Sequence, residues 1–204
     1  MKRKLLAVSL LIICAALTAA GSVAFFNAEG KAHNVITTGG IDIEVNEWSD
    51  EEMTTPWDND TDGKDVLPGT EVVKIAEVKN VGNSEAWIRV KVTKRIELDP
   101  EYGKLLPEGT EPNLDLINVE IGKGWVDGKD GYYYYSEALA PEDTTDPIFT
   151  KVIFDKNMGN AYQNSTAYVD VEAYAVQVAN NGKSAMDAAG WPTEQEETTP
   201  AAIQ

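Results

Sequence analysis

Ala86-Trp87-Ile88-Arg89-Val90-Lys91-Val92-Thr93-Lys94-Arg95-Ile96-Glu97 is the stretch that decides the fold. Ala86, Ile88, Val90, Val92 and Ile96 alternate with Trp87, Arg89, Lys91, Thr93, Arg95 and Glu97. A period of two puts one set on each face of a pleated strand, so the segment reads as a strand with one face in a core. Ile41, Ile43 and Val45 alternate in the same way with Asp42, Glu44 and Asn46, and Val169, Val171, Ala173 and Ala175 share one face of a stretch from Thr166 to Ala179. Further strands are predicted over 70–80, 116–121, 131–136 and 150–155. Turn signals fall at Gly39-Gly40, Gly82-Asn83, Asp127-Gly128, Asp130-Gly131 and Asn181-Gly182. Seven or eight short strands separated by such turns predict an all-β chain, an antiparallel sandwich without βαβ units.

Helix is scarce. One short helix is predicted from Pro100 to Leu106, with Asp99 as N-cap, and another from Ser184 to just before Gly190. Residues 47–69 are acidic and rich in Thr and Pro and read as a long exposed connection. The end of the chain, 193–204, has the composition of a disordered tail.

Outward toward the N-terminus the pattern changes character. Lys2, Arg3 and Lys4 precede an apolar run from Leu5 to about Phe26, which closes on the small residues Ser22-Val23-Ala24. A basic start, an apolar middle and small residues before the cut are what a secretory signal peptidase reads. Residues 1–24 are therefore expected to be a leader cleaved between Ala24 and Phe25, and the protein is expected to be secreted, touching the membrane only during export. The only cysteine, Cys14, lies in that leader, so the mature chain would hold neither a disulfide nor a thiol. About 180 residues remain, enough for one well-buried domain over 37–192. Without the leader, 14 basic residues face 34 acidic ones, a net charge of −20. So acidic a chain is a poor partner for nucleic acid or anionic lipid, which need clustered Lys and Arg.

Residues 25–36 start at the expected cut. Phe26, Ala28, Gly30, Ala32 and Asn34 alternate with Asn27, Glu29, Lys31 and His33, a strand at a free chain end. Such a strand can pair with its own sheet or lie in an open groove of a neighbour, gaining a row of backbone hydrogen bonds.

Catalytic constellations are absent from the sequence. His33 is the sole histidine, there is no His-Glu-x-x-His helix and no G-x-S-x-G elbow. No catalytic residue is assigned and the chain is not expected to be an enzyme. Asp58-Asn59-Asp60-Thr61-Asp62-Gly63 opens like an EF-hand loop, but the twelfth position is Gly69, where a bidentate Glu belongs. Asp58, Asp60 and Asp62 stay as a weak Ca²⁺ candidate; no other cofactor is expected. Tyr132, Tyr133, Tyr134 and Tyr135 read as core packing from one strand, with carbohydrate contact as the rival.

Three blocks carry a family likeness. GSVAFFNAEGKAHNVITTGGIDIEVNEW (21–48) resembles the TasA and camelysin family of proteins secreted by Gram-positive bacteria, whose leaders are cut by a SipW-type signal peptidase. PGTEVVKIAEVKNVGNSEAWIRVKV (68–92) and GYYYYSEALAPEDTTDPIFTKVIFD (131–155) are similar to later blocks of that family, especially its clostridial biofilm-matrix branch. The resemblance implies a jelly-roll sandwich that polymerises into extracellular matrix fibres, as a homo-oligomer or with a matrix accessory protein. It implies a donor strand with Phe25, Phe26, Ala28, Gly30, Ala32, Val35 and Ile36. It also brings one alternative, a camelysin-like metalloprotease at the cell surface; a second, a monomeric surface adhesin, rests on the Tyr132 to Tyr135 aromatics.

Overall fold

A computed structural model describes residues 26–29, 32–37 and 40–192 of the chain. The expected leader (1–24), with Ser22 and Ala24, lies outside the described residues, as do Phe25, Gly30 and the tail 193–204.

The alternating stretch forms β5 (Ala86–Glu97), and its partner is β10 (Ser165–Gln177). They run antiparallel from Glu97↔Thr166 to Ala86↔Gln177, the longest ladder among the described strands. Two long strands in register bring the alternating apolar sets of both, Ile88 and Val90 with Val169, Val171 and Ala173, to the same face. On its other side β5 pairs with β8 (Tyr133–Tyr135), which forms a hairpin with β7 (Trp125–Asp127). The second sheet has the order β3 (Ile43–Trp48), β4 (Glu71–Asn80), β9 (Phe149–Phe154) and β6 (Ile117–Val119), all antiparallel.

The sheets share one core. Ile88, Val90, Val169, Val171 and Ala173 from the first are buried with Ile43, Val78, Phe149, Val152, Phe154 and Ile117 from the second. Each large side chain removed from water contributes about 1.5–3 kcal/mol, the main force that holds the two layers together. The all-β expectation holds, and the two sheets pack as layers across that core.

Several expectations are corrected. Among the described residues, ten strands replace the predicted seven or eight. The N-terminal segment is two strands, β1 (Phe26–Glu29) and β2 (Ala32–Thr37), and both run parallel to β10, so the first sheet is not purely antiparallel. The register from Phe26↔Ser165 to Ala32↔Val171 is continuous, then slips by one residue before Val35↔Ala173. Three residue steps of β2, from Ala32 to Val35, then stand against two of β10, from Val171 to Ala173, the count of a β-bulge.

Both predicted helices shrink to single 3₁₀ turns, Gly103–Leu105 and Ala185–Asp187. Asp99 does not cap the 3₁₀ turn, whose N-cap is Tyr102 with no side-chain cap bond; its carboxylate accepts the backbone N–H of Glu101 at 2.7 Å and of Tyr102 at 3.3 Å, in the turn just before. Propagation fails because Gly103 is a poor helix former, and Pro107 lies four residues beyond.

Candidate functional site

Three places hold features that simple layer packing does not require: the outer edge of β10, the outward face of β5, and the interior end of β4.

The β10 edge is the first. Without β1 and β2, β10 would present a row of unpaired N–H and C=O groups. Its core-side residues Ser165, Ala167, Val169, Val171 and Ala173 are almost wholly buried, so the edge lies beside the packed interior. Of the residues expected in the donor strand, Phe26, Ala28, Ala32, Val35 and Ile36 fall in β1 and β2, opposite Ser165, Ala167, Val171, Ala173 and Tyr174 of the same chain. The segment that the sequence offers either to its own sheet or to a neighbour is here paired within the chain. His33 lies within β2.

The outward face of β5 is the second. Alternation places Trp87 and Arg89 there, yet both are buried. The cover is the segment that follows β10. The Trp87 indole N–H donates to the Asn181 carbonyl at 2.7 Å, and the Asn181 amide closes on Ala189 through bonds of 2.8 and 3.0 Å. Ser184 caps the short turn through Asp187. The Arg89 guanidinium donates from Nη2 to the Pro192 carbonyl at 3.0 Å. It lies 3.8 Å from the Tyr132 ring centroid, 4.7 Å from Trp191 and 5.2 Å from Tyr174, an aromatic box around one charge.

The tyrosine run is divided as a strand divides it. Tyr133 and Tyr135 pack against the main core, while Tyr132 and Tyr134 belong to the smaller cluster on the other face. The Tyr134 hydroxyl donates to Asp130 at 2.7 Å, and Tyr135 accepts the N–H of Asp146 at 3.2 Å. The hydrogen bond from Tyr134, with the backbone N–H of Tyr132, holds the Asp130 carboxyl below the usual carboxylate range although partial desolvation opposes it. All four rings are buried or partly buried in packing.

The interior end of β4 is the third. A bulge between Val73 and Ala76 marks its pairing with β9. Lys74 is 1% exposed, and its ammonium stands 3.0 Å from Oε1 of Glu47 on β3. Trp57 closes over it, the ring centroid 4.6 Å from Nζ, and the Trp57 backbone N–H donates to the Glu47 carbonyl. Burial pushes the Lys74 ammonium down and the Glu47 carboxyl up; each partner's charge opposes the shift in the other. The acidic connection is therefore no loose loop. Trp57 covers the pair, and Val66, 5% exposed, enters the core.

Within that connection the carboxylates of Asp58 and Asp62 accept the backbone N–H groups of Asp60 and Asp58, both at 2.8 Å. Among the described residues no group of three or more His, Cys, Asp or Glu side chains is disposed to hold a metal ion.

Sequence reasoning does not single out Lys74, Glu47 or Arg89. A signal for Lys74 is present: Val72, Lys74, Ala76 and Val78 share a parity, and one cation interrupts an apolar row. Arg89 carries no such mark, because its face is buried by a segment about a hundred residues away.

The fold and these sites define an all-β protein of two packed sheets, with a chain-end segment on one edge and a buried ion pair at the interior end of β4. No protein-family model, no curated protein and no solved structure matches the chain.

Proposed function

We propose that this chain is an exported structural subunit that assembles into extracellular matrix fibres by passing its N-terminal strands to the next copy. The resemblance to the TasA and camelysin family motivates the reading, with a jelly-roll-like arrangement of the sandwich, release by a SipW-type signal peptidase and a Gram-positive source. The reading gives the chain no catalytic role.

One observation carries it: the segment next to the expected cut pairs along an edge of β10 in parallel backbone register. Backbone pairing of this kind is available to any copy of the same segment. Each ladder hydrogen bond contributes about 0.5–1.5 kcal/mol net. Exchange between copies keeps the same bonds, so the closed and open forms differ mainly in the connection and in subunit concentration. That connection runs through Gly40, whose φ of +80° suits glycine, shortly before β3.

Deletion of 25–36, followed by electron microscopy of the purified protein, tests the reading. The truncated chain is expected to remain unassembled; normal fibres from it would reject the proposal.

A further inference from the structure

We infer that Lys74 and Glu47 are the two halves of an intramolecular isopeptide bond that covalently joins β4 to β3. This goes beyond assembly and does not depend on it.

As an ion pair the site is poor. Nζ and Oε1 are 3.0 Å apart, yet neither atom makes a hydrogen bond of acceptable geometry among the described residues. Both side chains are almost wholly out of water, at 1% and 7% exposure. A buried ion pair recovers its desolvation cost only with good geometry and further hydrogen bonds to the remaining donors and acceptors. Here the Trp57 ring supplies one cation–π contact, and Nζ and Oε1 gain no further hydrogen bond among the described residues.

An amide removes both charges from the interior. Burial already moves each partner toward its neutral form; the field of Asp170 adds to this at Glu47, whose carboxylate it disfavours, and opposes it at Lys74, whose ammonium it favours. A neutral amine is the nucleophile and a neutral carboxylic acid the electrophile that condensation requires. The Lys74 Nζ lone pair attacks the Glu47 carboxyl carbon, a C–N bond forms, the C–O bond to the hydroxyl breaks, and one water leaves with a proton from the amine. Nothing is oxidised or reduced and no co-reactant is needed. The fold holds the two groups in contact range on neighbouring strands, with Glu47 opposite Ala76, so the bond forms without rearranging the ladder.

The bond also suits its position. It would fasten β3, the strand that follows the N-terminal segment, to the middle of the second sheet.

Tryptic digestion of the denatured wild-type protein followed by mass spectrometry is the test. The expected product is a branched species joining 32–64 to 65–79, lighter than the two peptides by one water, because trypsin does not cut after an acylated lysine. Recovery of free 32–64 and of 65–74 cleaved after Lys74, with no branched species, overturns the assignment. Lys74→Arg is expected to abolish the branched species; its persistence would also overturn it. Since the wild-type digest is decisive alone, the bond stays testable even where the variant fails to fold. Failure here leaves strand exchange untouched, because the deletion experiment reads fibres and this one reads a covalent bond.

Discussion

Arg89→Ala is expected to destabilise the protein by about 2–3 kcal/mol. The substitution removes the Nη2 bond to the Pro192 carbonyl, at 3.0 Å a hydrogen bond from a charged donor, worth about 1.5–3 kcal/mol. It also removes a desolvated guanidinium from three aromatic faces at 3.8, 4.7 and 5.2 Å. Those contacts share one charge and do not add, so together they are set at about 2 kcal/mol. Against this stands the cost of burying the guanidinium, whose Nε has no hydrogen-bond partner, about 1–3 kcal/mol recovered on truncation. Arg89→Lys keeps the charge and the apolar stem but not the planar stack, and should lose about half as much. Urea denaturation followed by tryptophan fluorescence measures both. The loss should be local as well as global: Trp191 would leave its box, and limited proteolysis would cut earlier in the segment after β10. An Arg89→Ala protein within about 0.5 kcal/mol of wild type, the range of ordinary surface substitutions, would refute the reasoning.

Other predictions rest on single contacts. Phe154→Ala deletes a ring with 0% exposure from between the sheets and should cost about 3–5 kcal/mol by chemical denaturation. Gly122→Ala would drive a methyl group into the Pro147 carbonyl oxygen, and the backbone shift needed to clear it should cost about 1–3 kcal/mol, read as a lowered midpoint. Asp130 is held below its unfolded value by the Tyr134 hydroxyl, so its stabilisation is complete above the ordinary carboxylate range and is lost as pH falls through the folded value. Thermal midpoints of Asp130→Asn should accordingly fall less steeply on acidification than those of wild type, with a small difference because the group is largely solvated.

β5 was legible to its terminal residues, because alternation over Ala86–Glu97 is long enough to exclude other readings and both faces are distinct. β10 was legible for the same reason. β7 was not: Trp125–Asp127 is three residues between glycines, and its pairing depends on β8 across a turn rather than on its own pattern. The tyrosine run showed its division between two faces, but not that the outward face is roofed by Trp191 and Pro192. Asp99 was visible as a side chain that bonds the backbone just after it, but it closes a turn before the one 3₁₀ turn at Gly103–Leu105, whose N-cap is Tyr102. The Lys74–Glu47 contact joins residues far apart in sequence and owes its burial to Trp57, so local pattern carried only half of it. The N-terminal segment was readable as a strand, whereas its parallel direction and its slip before Val35 are set by β10 and have no local signature.

Strand exchange is tested most directly by placing a thiol on each side of the β1–β10 ladder. Asn27 and Thr166 are register partners, and Cys14 is the chain's only natural cysteine. Asn27→Cys with Thr166→Cys, in a Cys14→Ser background, is treated with a short thiol-to-thiol crosslinker after assembly and resolved by denaturing electrophoresis. Exchange predicts a ladder of covalent multimers, because the thiol at position 27 of each copy would lie beside the thiol at position 166 of the next. A single monomeric band, crosslinked only within the chain, would contradict it.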